Sequence, residues 1–368
     1  MRGRKDTQEH IFFTIRVEDR IPHDHPLRRV KRMADEALKG LSPLFSRMYS
    51  RYGRPSVPPE RLLKAQILLA LYSVRSDRLL CEMLEYNLLF RWFLDMDPEE
   101  HGIDATTFTK NRERLMTHGV AERFMGQVVN QAREGGLLSD EHFTVDGSLI
   151  EAWASQKSFR PRDEDRGDKT GREAGRNPSV DFHGERQTNE THYSRTDPEA
   201  RYIRKGKGKE AKLVYHGHAL MDNRHGLLVD VQVSCATGTA EREVAVSMLE
   251  GQRRKGVKPK TVGADKGYDT KGFVASMRQR GITPHVTAHT GRRGGSAVDG
   301  RTTRHAGYGI SQRIRKRVEE IFGWLKTIAG VRRSRFRGRE RTEMQVAWAG
   351  AAYNMLRMAK LCPQEAGI

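Results

Sequence analysis

The hydrophobic period of this chain changes at Gly135-Gly136, so no fold built from a single kind of element can accommodate it. Before that point, apolar residues recur at helical spacing: Leu62, Leu63, Ile67, Leu68 and Leu71, then Leu79, Leu80, Met83, Leu84, Leu88 and Leu89. Ser76-Asp77 supplies the turn and cap between the two runs. Residues 27–41 keep the same spacing inside a basic stretch broken by Pro22, Pro26, Pro43 and Pro55. Asp104 can cap a helix over residues 106–115, and residues 121–133 read as another, stopped by the glycine pair. After Gly136 the alternation is that of strands. Residues 143–145 before Asp146, a hairpin of 212–220 and 227–234, and residues 261–264 and 283–287 all fit. Residues 241–254, 271–280, 313–329 and 342–361 return to helical spacing. The expectation is an all-helical N-terminal domain over residues 1–136. An α/β domain with a mixed sheet flanked by helices follows over residues 137–362.

Two stretches fit neither period. Residues 155–210 hold 14 Lys/Arg and 11 Asp/Glu in 56 positions with almost no aliphatic side chains. Too little apolar area is available there to offset ordering entropy, which predicts a charged insertion that is disordered or orders only on a partner. Residues 289–312, with His289-Thr290-Gly291-Arg292-Arg293-Gly294-Gly295, read as a second mobile basic loop.

Charge then narrows the function. Across 368 residues, 66 Lys/Arg outnumber 47 Asp/Glu for a net +19, spread along the chain and not confined to one tail. Such a field attracts polyanions, and nucleic acid is favoured over an anionic membrane because no long basic amphipathic helix stands beside a lipidation signal. The apolar stretch at residues 65–74 is too short to cross a bilayer. The charged start lacks the apolar core of a signal peptide. Cys81, Cys235 and Cys362 form no CxxC pair. A cytoplasmic, nucleoid-associated protein without membrane or zinc is expected.

Three carboxylates stand in suggestive places. Asp146 follows Phe143 and Val145, Asp265 ends the run Thr261-Val262-Gly263-Ala264, and Glu319 lies in a basic helix. Strand-end carboxylates point into the crevice where α/β sheets place ligands, and three hard oxygen donors suit Mg²⁺ or Mn²⁺. On a helix turning about 100° per residue, Val318, Phe322, Leu325, Ile321 and Ile314 form one apolar arc. Arg315, Glu319 and Lys326 line one margin of that arc, while Glu320 faces water. Taken singly, an Asp after a strand is ordinarily a turn residue, and Glu319 could simply pair with Arg315 one turn away.

Together these residues resemble a family. Thr144-Val145-Asp146-Gly147, Gly263-Ala264-Asp265-Lys266-Gly267-Tyr268 and Arg315-x₃-Glu319-x₆-Lys326 are similar to the DDE transposases of bacterial insertion sequences, in the group of insertion sequence five and its relatives. The helical region, with Asp104-Ala105-Thr106-Thr107-Phe108, resembles the domain that precedes the catalytic one there. The resemblance implies an RNase H-like fold, a site of Asp146, Asp265 and Glu319 binding two divalent ions, and Arg315 and Lys326 as the basic partners of the third motif. It also implies DNA cleavage and strand transfer at terminal inverted repeats, without a covalent protein–DNA intermediate. One departure stands out: Gln312 occupies a position where related sequences often carry Tyr.

Residues 313–341 add 11 Lys/Arg against 3 Glu, including Arg332 and Arg333, and read as a DNA contact. Arg112 and Arg114 mark a candidate DNA-facing helix. Trp153 and Trp324 read as core residues that could instead stack on a splayed base. His216 and His218 read as structural, and Asp269 as the cap of the helix after it. The competing readings are an RNase H-like nuclease without strand joining and a non-catalytic basic DNA-binding regulator. A homodimer is the expected active assembly.

Overall fold

A computed structural model describes residues 16–50, 52–53, 55–162, 187–204, 206, 208–291 and 294–362. The helical half comprises α1 (Val17–Arg20), α2 (Pro26–Lys39), α3 (Ser42–Met48), α4 (Pro59–Leu71), α5 (Asp77–Tyr86), α6 (Leu88–Phe93), α7 (Ala105–Thr117) and α8 (Val120–Glu134). Its starts are set by side chains that satisfy the first free amides. Ser76 accepts from Leu79 N, Asn87 from Phe90 N and Asp104 from Thr106 N. Leu80 and Leu84 are buried while Leu79 is exposed, as the spacing requires.

The sheet follows: β1 (His142–Glu151), β2 (Phe159–Pro161), β3 (His192–Ser194), β4 (Arg201–Arg204), β5 (Ala211–Asp222), β6 (Leu227–Cys235), β7 (Thr261–Ala264) and β8 (Thr283–Val286). β1 runs antiparallel to β5, which is antiparallel to β6 and, over its first residues, to β4. On the other edge of β1, β7 and then β8 are parallel. The order β6-β5-β1-β7-β8 is that of an RNase H-like sheet. Between and after these strands lie α9 (Ala240–Arg254), α10 (Lys271–Gln279), α11 (Gly300–Thr303), α12 (Ala306–Ile314), α13 (Arg317–Thr327) and α14 (Arg339–Leu361).

One helix joins the two halves. α14 packs against β6 on one side and against α8, α4 and α2 on the other. Its small residues Ala347, Ala349, Gly350, Ala351 and Ala352 let neighbours approach from all round, so the helical half and the sheet share one continuous core. Asn354, fully buried, accepts from Leu228 N at 2.9 Å and donates to Leu228 O at 2.7 Å, locking α14 to β6.

Five expectations are corrected. The expected helix over 313–329 is broken: α12 ends at Ile314, α13 starts at Arg317, and Arg315-Lys316 form a turn between them. The strand before Asp146 does not stop there but runs through it to Glu151. The flanks of the charged segment 155–210 are ordered in the described residues. β2 pairs with β3, and Phe159 stacks on His192 and Tyr202 at 5.4 and 4.8 Å between ring centroids. Aromatic rings thus provide the apolar area that aliphatic residues do not; residues 163–186 lie outside the described residues. Finally, Thr270 and not Asp269 caps α10, accepting from Phe273 N. Asp269 is buried and accepts from His289 N and Ala297 N, and the basic loop is shorter than the expected 289–312, because α11 and α12 occupy Gly300–Thr303 and Ala306–Ile314; Arg292 and Arg293 lie outside the described residues.

Candidate active site

Strand register brings the first two acids together. Thr144 pairs with Gly263 at the last parallel position between β1 and β7. Asp146 and Asp265 each lie two residues further on, near enough for the Asp265 charge to act on the Asp146 carboxyl. β7 ends at Ala264 and β1 continues along β5, which opens the crevice at this point. Asp265 starts a single 3₁₀ turn by accepting from Gly267 N at 2.8 Å, and Asp146 accepts from its neighbour Gly147 N at 2.9 Å. Burial, followed by the charges of Asp265 and Glu241, pushes the Asp146 carboxyl up to about 7, although the Gly147 amide works in the opposite direction.

Glu241 was not singled out in the sequence. It lies in the first turn of α9, where its Oε1 is 2.9 Å from His216 Nε2, and this partner holds its carboxyl below the usual range. A methyl group at Gly147 would come within 2.7 Å of His216 Nε2 and 3.0 Å of Glu241 Oε1. The glycine beside Asp146 is therefore what lets this pair close in. The signal in the sequence was the Asp-Gly step; the partner was invisible because nothing in spacing connects residue 241 to 147.

α13 packs over β1 by burying Val318, Ile321 and Leu325. Lys326 Nζ donates to Ser148 Oγ at 2.7 Å, two residues from Asp146. The Arg315 guanidinium, mostly buried, opposes the rise of the Asp146 carboxyl, and its Nε is buried without a hydrogen-bond partner. Glu319 behaves differently. Its side chain is 65% exposed and 3.9 Å from Arg315. Gln312 bridges Thr287 Oγ1 and His285 O, a structural use of that position.

The donor set suits a hard divalent cation, because an Asp146 carboxyl that keeps its proton near neutrality, chiefly through burial, beside a second acid would gain from a positive charge. Among the described residues, however, no three His, Cys, Asp or Glu side chains converge as a ready metal cage. Asp146 and Asp265 are brought together; Glu319 stands at the rim.

The other basic candidates are dispersed. Arg112 is paired with Asp77 and stacks over Phe336 at 4.3 Å; Arg114 stacks over Tyr49 at 4.8 Å. Arg332 is exposed. Arg333 donates to Ala152 O and Trp153 O, fastening its segment to the end of β1. Trp324 packs edge-on against Tyr353, whereas Trp153 is 42% exposed. No helix of the described residues is long and apolar enough to cross a membrane.

The comparisons agree with this architecture. Residues 15–114 match the family described as Transposase domain (DUF772), and residues 141–355 match the family described as Transposase DDE domain. No curated protein matches the chain. Among solved structures it is similar to a piggyBac transposase synaptic complex with hairpin DNA, at 12% identity over 91% of this chain and 74% of that one, with a TM-score of 0.41. It is also similar to a Mos1 transposase paired-end complex with left transposon end, at 10% identity over 85% and 80%, with a TM-score of 0.21. With its matched catalytic region covering more than half of its length, this chain belongs to the DDE transposases of insertion-sequence type, enzymes that cleave DNA and transfer the cut strand.

Proposed function

We propose that Asp146, Asp265 and Glu319 are the catalytic acids of this transposase, and that Arg315 and Lys326 hold substrate phosphates beside them. The observation that carries this reading is the side-by-side position of Asp146 and Asp265 beyond the parallel ladder, with Arg315 facing the raised carboxyl. DDE transposases use divalent metal ions; here we assign Mg²⁺ or Mn²⁺, two ions, to the three acids. When bound, such ions supply the charge that activates a water or a DNA 3′-hydroxyl and stabilises the leaving oxygen. Asp146, its carboxyl raised chiefly by burial, would lose its proton and hold an ion as that positive charge offsets its surroundings. Arg315, in the turn before α13, and Lys326, in the last turn of α13, would orient the scissile phosphate, and Arg315's orphaned Nε–H is the donor with most to gain. Glu319 would turn inward from its weak pairing with Arg315, a rotation that a mostly exposed side chain can make freely.

The same reading extends to the whole chain. Residues 1–136 would bind the terminal inverted repeats or dimerise, and residues 137–362 would carry the chemistry, as in the group of insertion sequence five. Arg112, Arg114, Arg332 and Arg333 would contact double-stranded DNA, and a homodimer would pair the two element ends in a cytoplasmic, nucleoid-associated complex.

The test is a Mg²⁺-dependent cleavage and joining assay on DNA flanking the gene, with Asp146→Asn and Glu319→Gln beside wild type and products read by sequencing. Cleavage at the element ends that disappears in both variants, with DNA binding retained, is the expected result. Equal activity in Glu319→Gln and wild type would sink the assignment of the third acid. Cutting without joined products would leave a nuclease, and binding with neither a regulator.

A further inference from the structure

Two arginines far apart in the chain, Arg112 and Arg335, meet in a groove away from the catalytic acids, where Arg112 and Arg333, proposed above as duplex contacts, line a narrower space. The segment after α13 joins the end of β1: Glu151 N donates to Arg332 O at 3.0 Å, and Ser334 N donates to Glu151 O at 2.7 Å. This carries Arg333 and Arg335 against the start of α5 and the face of α7. The result is a cavity of about 960 Å³ lined by Arg75, Arg112, Arg333, Arg335, Trp153 and Phe336, with Asp77 the one acid in its wall.

Its electrostatics are unbalanced. Asp77 already pairs with Arg112. Arg112 and Arg335 both stack on Phe336, at 4.3 and 5.7 Å from the ring centre. Burial draws the Arg335 guanidinium down from its ordinary range, the Asp77 charge works against this and the Arg112 charge with it, and its Nε is buried without a hydrogen-bond partner. Two guanidiniums on one ring, one of them desolvated with a donor unmet, call for an anion with several acceptor oxygens. Exposed Arg75 adds a third charge at the mouth. Arg333, whose Nε and Nη2 hold the backbone of Ala152 and Trp153, is a fixed wall. Trp153 then gives the groove an aromatic ring with exposed surface, on which Arg337 stacks at 4.4 Å.

We propose that this groove binds one unpaired DNA strand, a phosphodiester against Arg75, Arg112 and Arg335 and the adjoining base on Trp153. A duplex is too wide to bring its backbone to a buried guanidinium within a cavity of this size, whereas a nucleotide out of the stack fits with room to spare. Glu151 lies five residues beyond Asp146 along β1, about 17 Å at strand rise. The proposal deepens the transposase reading and rests on it.

The probes are a labelled single strand of about 20 thymidines and a duplex of equal length, titrated with the full chain without divalent metal. Trp153→Ala is expected to weaken strand binding roughly 5- to 100-fold, while duplex binding stays within about twofold and Trp153→Phe restores most of the loss. Arg75→Ala, at an exposed position that cannot endanger the core, is expected to lower strand affinity and its salt dependence together. Unchanged strand binding in Trp153→Ala, or equal loss on strand and duplex, overturns the proposal. So does inorganic phosphate competing as well as the strand. Asp146→Asn, run alongside, is expected to keep strand binding and lose cleavage. A failure at Trp153 therefore strikes the groove alone, and a cleaving Asp146→Asn strikes the catalytic assignment alone.

Discussion

Asp146 is held in a folded state that resists its ionisation. Its carboxyl sits at about 7, against an ordinary value of 3.8, because burial and then the charges of Asp265 and Glu241 disfavour the anion. A raised folded-state pKa means that the stability associated with this group is fully present below about pH 4 and is lost as pH rises towards 7. Metal-free Asp146→Asn is therefore expected to melt higher than wild type at pH 8, by roughly 2–4 kcal/mol in unfolding free energy, with the difference vanishing near pH 4. Melting curves across that range check it; a constant difference would assign the effect to packing. Mg²⁺ is expected to raise the melting temperature of wild type at pH 8 and to do so far less in Asp146→Asn, which calorimetric scans with and without chelator would read. Next door, Gly147→Ala sets a methyl group within 2.7 Å of His216 Nε2 and 3.0 Å of Glu241 Oε1. The expected loss is about 1–3 kcal/mol by denaturant titration, with a larger loss of cleavage because the displaced pair adjoins Asp146. The Asp-Gly step was legible in the sequence as part of a motif. Its reason was not, since residues 147, 216 and 241 meet only through sheet register and helix packing.

At the level of elements, sequence periodicity located most helices and strands but misjudged where two of them end. The basic run 313–329 keeps helical spacing throughout, yet the chain turns at Arg315-Lys316. The α12 segment is tied to β8 by His285 Nδ1 to Ser311 Oγ at 2.6 Å and by Tyr308 to Val286 O, whereas α13 packs on β1. Two partners set two directions, and periodicity carries no information about partners. The same holds for Asn354, a fully buried polar residue of α14. It satisfies both backbone groups of Leu228. Asn354→Leu would bury an unmet N–H and C=O together, at about 2–4 kcal/mol, and urea titration should show that loss without a change in the helical content of the folded state.

For the whole molecule, the net +19 is a statement about partners more than about fold. Affinity for duplex DNA should fall steeply with salt, and replacing exposed Arg332 with Ala should reduce the slope of log K against log[salt] by about one unit if that side chain neutralises a phosphate. Binding measured over several salt concentrations decides this; an unchanged slope would remove Arg332 from the interface. The sequence by itself determined the two regimes of periodicity, the basic field and the three motifs, because each depends only on residue type and local spacing. Tertiary structure alone decided that Asp146 and Asp265 stand together beyond a shared register while Glu319 waits at the rim. It alone also set α14 through the middle of a common core and brought Arg112 and Arg335 onto one ring. Those outcomes depend on contacts between residues far apart in the chain, and such contacts are fixed by how faces pack, a property that no local pattern contains.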